Sequence, residues 1–252
     1  MKAHIYVGTC GFSRSRRLVF SNLDAVEIQQ TFYDPPPPDR LARLRREAPD
    51  GFTFTVKAWM LVTHRYNKML WKRLHRKVPG DRSKYGFFQD TGEVWWAWSK
   101  TLEAAKALRA RIIVLQSPAS FRPTMENIKR IERFLSRAPR EGMDLAWEPR
   151  GEWWDLREEL ARMSRVYEVI IVGDFLRGRV TPCVVGKAYA RLHGLGGKEA
   201  NYRYKYTNND LAMLKDIVNN IDCSEIYIMF NNIYSYDDAL RFKSLLEKHD
   251  TQ

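Results

Sequence analysis

Phe52-Thr53-Phe54-Thr55-Val56-Lys57 alternates apolar and polar side chains without a break, and the fold assignment turns on it. Successive side chains of a strand point to opposite faces, so Phe52, Phe54 and Val56 share one face and Thr53, Thr55 and Lys57 the other. An apolar face turned to covering helices and a polar face turned inward is the pattern of a closed sheet. Working outward, short apolar or alternating runs recur, and strands are predicted at His4–Gly8, Ala25–Ile28, Phe52–Lys57, Arg111–Gln116, Asp144–Glu148, Val169–Gly173, Ala188–His193 and Glu225–Phe230. Helical periodicity fits between them at Pro38–Glu47, Trp95–Leu108, Met125–Ala138, Trp154–Arg165, Asn208–Asn219 and Tyr236–Lys248. The stretches after strands 1 and 6 are less regular. Strands alternating with helices predict a parallel sheet, and eight of them in 252 residues predict one α/β domain, a (β/α)8 TIM-type barrel. A long insertion after strand 3, approximately residues 66–93, departs from the pattern.

Hydrophobic residues make up 44% of the chain, enough for a core, yet no run approaches the roughly 18 apolar residues of a spanning helix. The N-terminus lacks the apolar stretch of a secretory signal. Cys10, Cys183 and Cys223 are odd in number and widely spaced, which argues against a disulfide framework or a zinc ribbon and predicts a reducing, cytoplasmic setting without membrane association. The formal net charge is +12. Between Arg65 and Lys84 eight cations face Asp81 alone, a local charge of +7. Arg65, Lys68, Lys72, Arg73, Arg76 and Lys77 alternate there with Tyr66 and Trp71. Cations interleaved with stacking surfaces suit nucleic acid, and a solvated helical face is the plainer alternative.

Parity places Glu27, Lys57, Glu148, Arg191, His193 and Asn231 on the inner face, most of them at the C-terminal strand ends where barrel active sites are built. Lys57 has two readings: a partly desolvated amine free for base or nucleophilic work, or an inert ion pair with Glu27 on the next strand. Glu27 and Glu148 are a candidate acid/base pair, joined by His64 and His193. Glu148, Asp174 and His193 are the candidate ligands for a divalent metal, although no tight ligand spacing supports them. Gly196, Gly197 and Lys198 after strand 7, with Asn231 and Asn232 after strand 8, suit a phosphate. Thr9 in the first strand-end turn, Arg150, and Trp153 as a stacking surface extend the substrate-binding set, with Arg191 from within the barrel.

Seven ordered motifs also carry a resemblance. They are Gly8-Thr9-Cys10-Gly11-Phe12, Val26 through Tyr33, and Phe54-Thr55-Val56-Lys57 followed by Thr63-His64. Then come Gln116 through Phe121, Glu148-Pro149-Arg150 with Trp153-Trp154, Arg191-Leu192-His193-Gly194, and Phe230-Asn231-Asn232. Through them nearly the whole chain resembles the YecE-like domain-of-unknown-function family, number seventy-two, whose members are TIM-type barrels. Its members more often show Ser-Gly-Trp where Cys10-Gly11-Phe12 stands, asparagine in place of Gln29, and a second proline in place of Ala119. The resemblance implies a barrel with a site and specifies no reaction. Tyr33 and Gln116, from two of these motifs, join the substrate-binding candidates.

Three functions from different classes follow. The first is an enzyme that cleaves a phosphate-bearing substrate, nucleic acid above all, by hydrolysis or strand scission. The others are a sugar or sugar-phosphate isomerase, lyase or hydrolase, and a non-catalytic nucleic-acid-binding barrel.

Overall fold

A computed structural model describes residues 3–183, 185–197 and 199–247. The element order is β1 (His4–Cys10), α1 (Arg16–Asn22), β2 (Ala25–Ile28), α2 (Gln30–Tyr33), α3 (Pro38–Glu47), β3 (Thr53–Lys57), α4 (Met60–Thr63), α5 (Lys68–Trp71), α6 (Gly92–Leu108) and β4 (Ile112–Gln116). The second half runs α7 (Met125–Arg137), β5 (Asp144–Glu148), α8 (Arg157–Tyr167), β6 (Val169–Gly173), β7 (Lys187–Leu192), α9 (Asn208–Asn219), β8 (Glu225–Phe230) and α10 (Ser235–Glu247). All eight strands pair in parallel in chain order, and β8 returns to β1 with Ile5 beside Ile226 and Val7 beside Ile228. The (β/α)8 barrel is therefore closed, with no free strand edge. No helix among the described residues is long and apolar enough to cross a membrane.

Strand parity divides the core in two. Val26, Phe54, Val56, Leu145, Trp147, Ala190 and Ile228 pack outward against the helices. Ala25, Ile112, Val114, Ala146, Ile170, Val172, Tyr189, Tyr227 and Met229 plug the interior. Gly8 lets β1 approach β2, since a Cβ there would meet the Ala25 carbonyl oxygen at 2.3 Å. The apolar plug fills the middle, so charged inner-face residues collect at the barrel's ends.

The stretch after β6 is irregular, as its sequence suggests: among the described residues a 3₁₀ turn at Phe175–Arg177 leads into the return to β7 without an α-helix. One expectation needs correction. On that return Cys183 forms a disulfide with Cys223, their Cα atoms 5.8 Å apart. The wide spacing in sequence concealed this pairing. Lys187 and Glu225 open adjacent strands in register, which brings the residues just before them together. The cysteine argument for a reducing compartment thereby loses its premise.

The insertion folds back onto the barrel. Gly86 and Phe88 donate backbone hydrogen bonds to the carbonyls of Leu61 and Val62, at 2.8 and 3.0 Å. Tyr85, Phe87 and Phe88 are buried. Gly86 needs to be glycine: its φ is +79° and a Cβ would lie 2.1 Å from the His64 carbonyl oxygen.

Candidate active site

The charged layer begins with Arg191, 1% exposed, reaching across the interior from β7. Its guanidinium lies 3.0 Å from Glu27 of β2 and also binds Glu148 of β5. Tyr189 donates to Glu27 at 2.8 Å, while its own hydroxyl lies 2.9 Å from the Thr55 hydroxyl, and the Gln29 amide binds the same carboxylate. Arg150 binds Glu148 at 2.9 Å and reaches His193 Nε2 at 3.0 Å. Buried charges persist only when paired and hydrogen-bonded, and these two carboxylates are fully engaged.

Lys57 is not. It ends β3 at 7% exposure, and among the described residues no carboxylate lies within salt-bridge distance of its amine. Arg191 has taken Glu27, so of the two readings of Lys57 the ion pair with Glu27 does not form. The Lys57 Nζ instead stands 3.8 Å from the centre of the Phe32 ring. Burial and the nearby Arg191 bring its pKa down to about 7, against the partial restoring pull of Glu148 and Glu27.

Glu148, His64 and His193 are held away from neutrality. Burial raises Glu148, but Arg150 and Arg191 outweigh it and hold the carboxyl well below its usual range. Burial, reinforced by Lys57, takes His64 to about 3; its Nδ1 lies 2.8 Å from the Thr63 hydroxyl. Burial and Arg191 likewise take His193 to about 3. Both imidazoles are neutral, and Nε2 of His193 accepts from Arg150. Asp174, pushed up by burial to about 6, joins Lys57 near neutrality, and its Oδ2 is engaged by the His193 backbone N–H at 3.0 Å. Cys10, raised by burial and Glu27 to about 12, stays a thiol.

Glu148, Asp174 and His193 are neighbours without being a ligand set. Glu148 lies 3.5 Å from His193 Nε2, and Asp174 lies 3.9 Å from the opposite ring nitrogen, Nδ1. The two carboxylates thus flank the imidazole and do not face a common point. Among the described residues no three His, Cys, Asp or Glu side chains converge as a metal site.

Several substrate-binding candidates have polar groups engaged within the protein. Thr9 is fully buried and binds the Gly11 carbonyl at 2.8 Å. Trp153 is fully buried too, its indole N–H on the Phe121 carbonyl and its ring 4.8 Å from that of Trp147, so it offers no stacking face. Asn232 spends its amide hydrogens on Tyr204 and Asp238. Arg177 binds the carbonyls of Gly194 and Gly196, at 2.5 and 2.8 Å, so this loop is organised around a protein cation. Gly197 lies 3.4 Å from the same guanidinium, and Lys198 lies outside the described residues. Gln116, half-buried beside Glu148, and Asn231, half-buried after β8, remain at the mouth.

In the insertion Arg65, Lys68, Lys72, Arg73 and Lys77 are exposed, with Arg65 over Phe87 and Arg73 over Tyr33, at 4.6 and 4.4 Å. Arg76 is the exception, bound at 2.5 Å to Asp34 and set over Trp59. Sequence reasoning missed Phe32, Gln29 and Arg177 as site residues, and it missed Tyr202, an exposed ring 6.1 Å from that of His193. Tyr189 had only its inward parity to mark it. The mouth is distinguished by its charge; a separate hollow of about 570 Å³, lined by His4, Asp24, Lys215 and Lys243, opens at the other end.

Comparison with known proteins sets this geometry in a family. A DUF72 family protein of Thermotoga maritima shares 26% identity, with 97% of this chain and 99% of that one covered and a TM-score of 0.69. A DUF72 family protein of Enterococcus faecalis shares 18% identity over 97% and 98%, at a TM-score of 0.72. Endonuclease IV from Thermus thermophilus has the same fold at 14% identity, over 98% and 100%, at a TM-score of 0.55. No curated protein matches the chain. With the family profile matching residues 8–252, this chain belongs to the family described as protein of unknown function DUF72.

Proposed function

We propose that the chain is an enzyme cleaving a phosphate-bearing substrate, nucleic acid above all, at the C-terminal mouth of the barrel, with Lys57 as the group that performs the chemistry. The observation that carries this reading is the state of Lys57: buried, at the mouth, free of any carboxylate partner and titrating at about 7. A proton-transfer group works best when its pKa lies near the working pH. Glu27, Glu148, Arg150 and Arg191 then serve as a fixed scaffold whose net charge, with Lys57 protonated, is positive.

The preference for nucleic acid rests on charge around the mouth. Arg65, Lys68, Lys72, Arg73 and Lys77 stand exposed on one side, with Tyr66 and Met69 between them. Exposed Tyr202, Arg203 and Lys205 belong to the segment after β7. The likeness to endonuclease IV bears on the fold alone.

The test is cleavage of end-labelled single- and double-stranded oligonucleotides. Lys57→Ala is expected to reduce cleavage by about 10²-fold or more while leaving binding within a few-fold. Wild-type protein that neither binds nor cuts oligonucleotides at low salt removes the nucleic-acid reading.

A further inference from the structure

We infer that the Lys57 amine is a covalent catalyst that forms an imine with a phosphate-bearing sugar in its open aldehyde form. This rests on the reading of the mouth as a phosphate-substrate site and adds the reactive group that the substrate must present. The geometry excludes the usual resting partner of an interior lysine. Arg191, Tyr189 and Gln29 occupy Glu27, and Arg191 with Arg150 occupies Glu148, so among the described residues the amine has no carboxylate partner and stands over the Phe32 ring. An amine held against an apolar surface beside fixed guanidinium groups gives up its proton readily and keeps its lone pair for attack. The same guanidinium groups suit a phosphate. The Nε atoms of Arg150 and Arg191 are buried donors without a hydrogen-bond partner among the described residues.

The chemistry balances without an oxidant or a metal. The Nζ lone pair attacks the aldehyde carbon, a C–N bond forms, and the carbonyl π pair becomes an alkoxide that takes up a proton. The carbinolamine loses its hydroxyl as water, leaving a protonated imine. The imine withdraws electrons from C2, so the C2 proton passes to solvent and its bonding pair forms C2=C3. The phosphate at C3 departs with the C3–O pair, and water hydrolyses the imine to release the amine. In a nucleic acid, a sugar that has lost its base provides this aldehyde with a phosphate at C3; among small molecules, glyceraldehyde 3-phosphate does.

The experiment is reduction with cyanoborohydride in the presence of two probes, an oligonucleotide with one abasic site and glyceraldehyde 3-phosphate. Adducts are read by intact mass and peptide mapping. A stable adduct on Lys57 is expected with the oligonucleotide. It should fall at least about tenfold in Lys57→Arg, which keeps the charge without a usable nucleophile and whose fold near-ultraviolet circular dichroism checks. An adduct on Lys57 with the triose phosphate only sustains the covalent amine and overturns the nucleic-acid reading. Strand cleavage without any adduct on Lys57 sustains that reading and overturns the covalent amine. Equal adduct yields in wild type and Lys57→Arg also overturn it, because surface lysines are then reacting.

Discussion

At the scale of single residues, Lys57 couples function to stability. Its pKa is near 10.5 in an unfolded chain and about 7 in the folded one, so between these values the unfolded state binds more protons. Stability therefore rises with pH through this window, and below about pH 7 the full penalty of the buried ammonium is present. Lys57→Met removes the penalty at similar volume. Urea unfolding should find Lys57→Met more stable than wild type by roughly 1–4 kcal/mol near neutral pH, with the upward slope between pH 7 and 10 flattened. Equal slopes in the two proteins would mean that the amine is well solvated. Activity is expected to follow the same group: if the free amine does the work, kcat/KM rises with pH to a plateau above about 7.

At the scale of elements, the insertion after β3 separates what local sequence says from what packing decides. Its charge was legible, because eight cations in twenty residues survive any arrangement. Its division of labour was not. Arg76 and Lys77 are consecutive, yet Arg76 folds onto Asp34 and Trp59 while Lys77 stays in solvent. Replacing Lys68, Lys72, Arg73 and Lys77 together with glutamine should leave the fold intact and weaken oligonucleotide binding. Four lost phosphate contacts should shrink the slope of log K against log salt by about 3 for single strands. An unchanged slope would identify this face as simply solvated.

For the whole molecule, a covalent bond ties the irregular return after β6 to the residues that lead into β8. Cys183–Cys223 closes a 40-residue separation across the β7–β8 edge. On the chain-entropy account such a closure restricts the unfolded ensemble and is worth about 2–4 kcal/mol. Cys183→Ser, or treatment with a thiol reductant, should lower the unfolding free energy by about that amount in a urea titration; an unaltered midpoint would show that the irregular return holds without the bond.

Eight short apolar or alternating segments were sufficient to determine the closed barrel, its inner and outer faces, and the charged character of the mouth. Parity is a local property of a strand, and burial of one face follows from it. Pairing across the barrel is not local. That Arg191 takes both Glu27 and Glu148, that Lys57 is left against Phe32, and that Thr9, Trp153 and Asn232 hydrogen-bond within the protein were decided by tertiary structure alone. The physical reason is competition: several cations and acceptors converge on one enclosed space, and distances set by the barrel's register choose among partners that the sequence presents as equals.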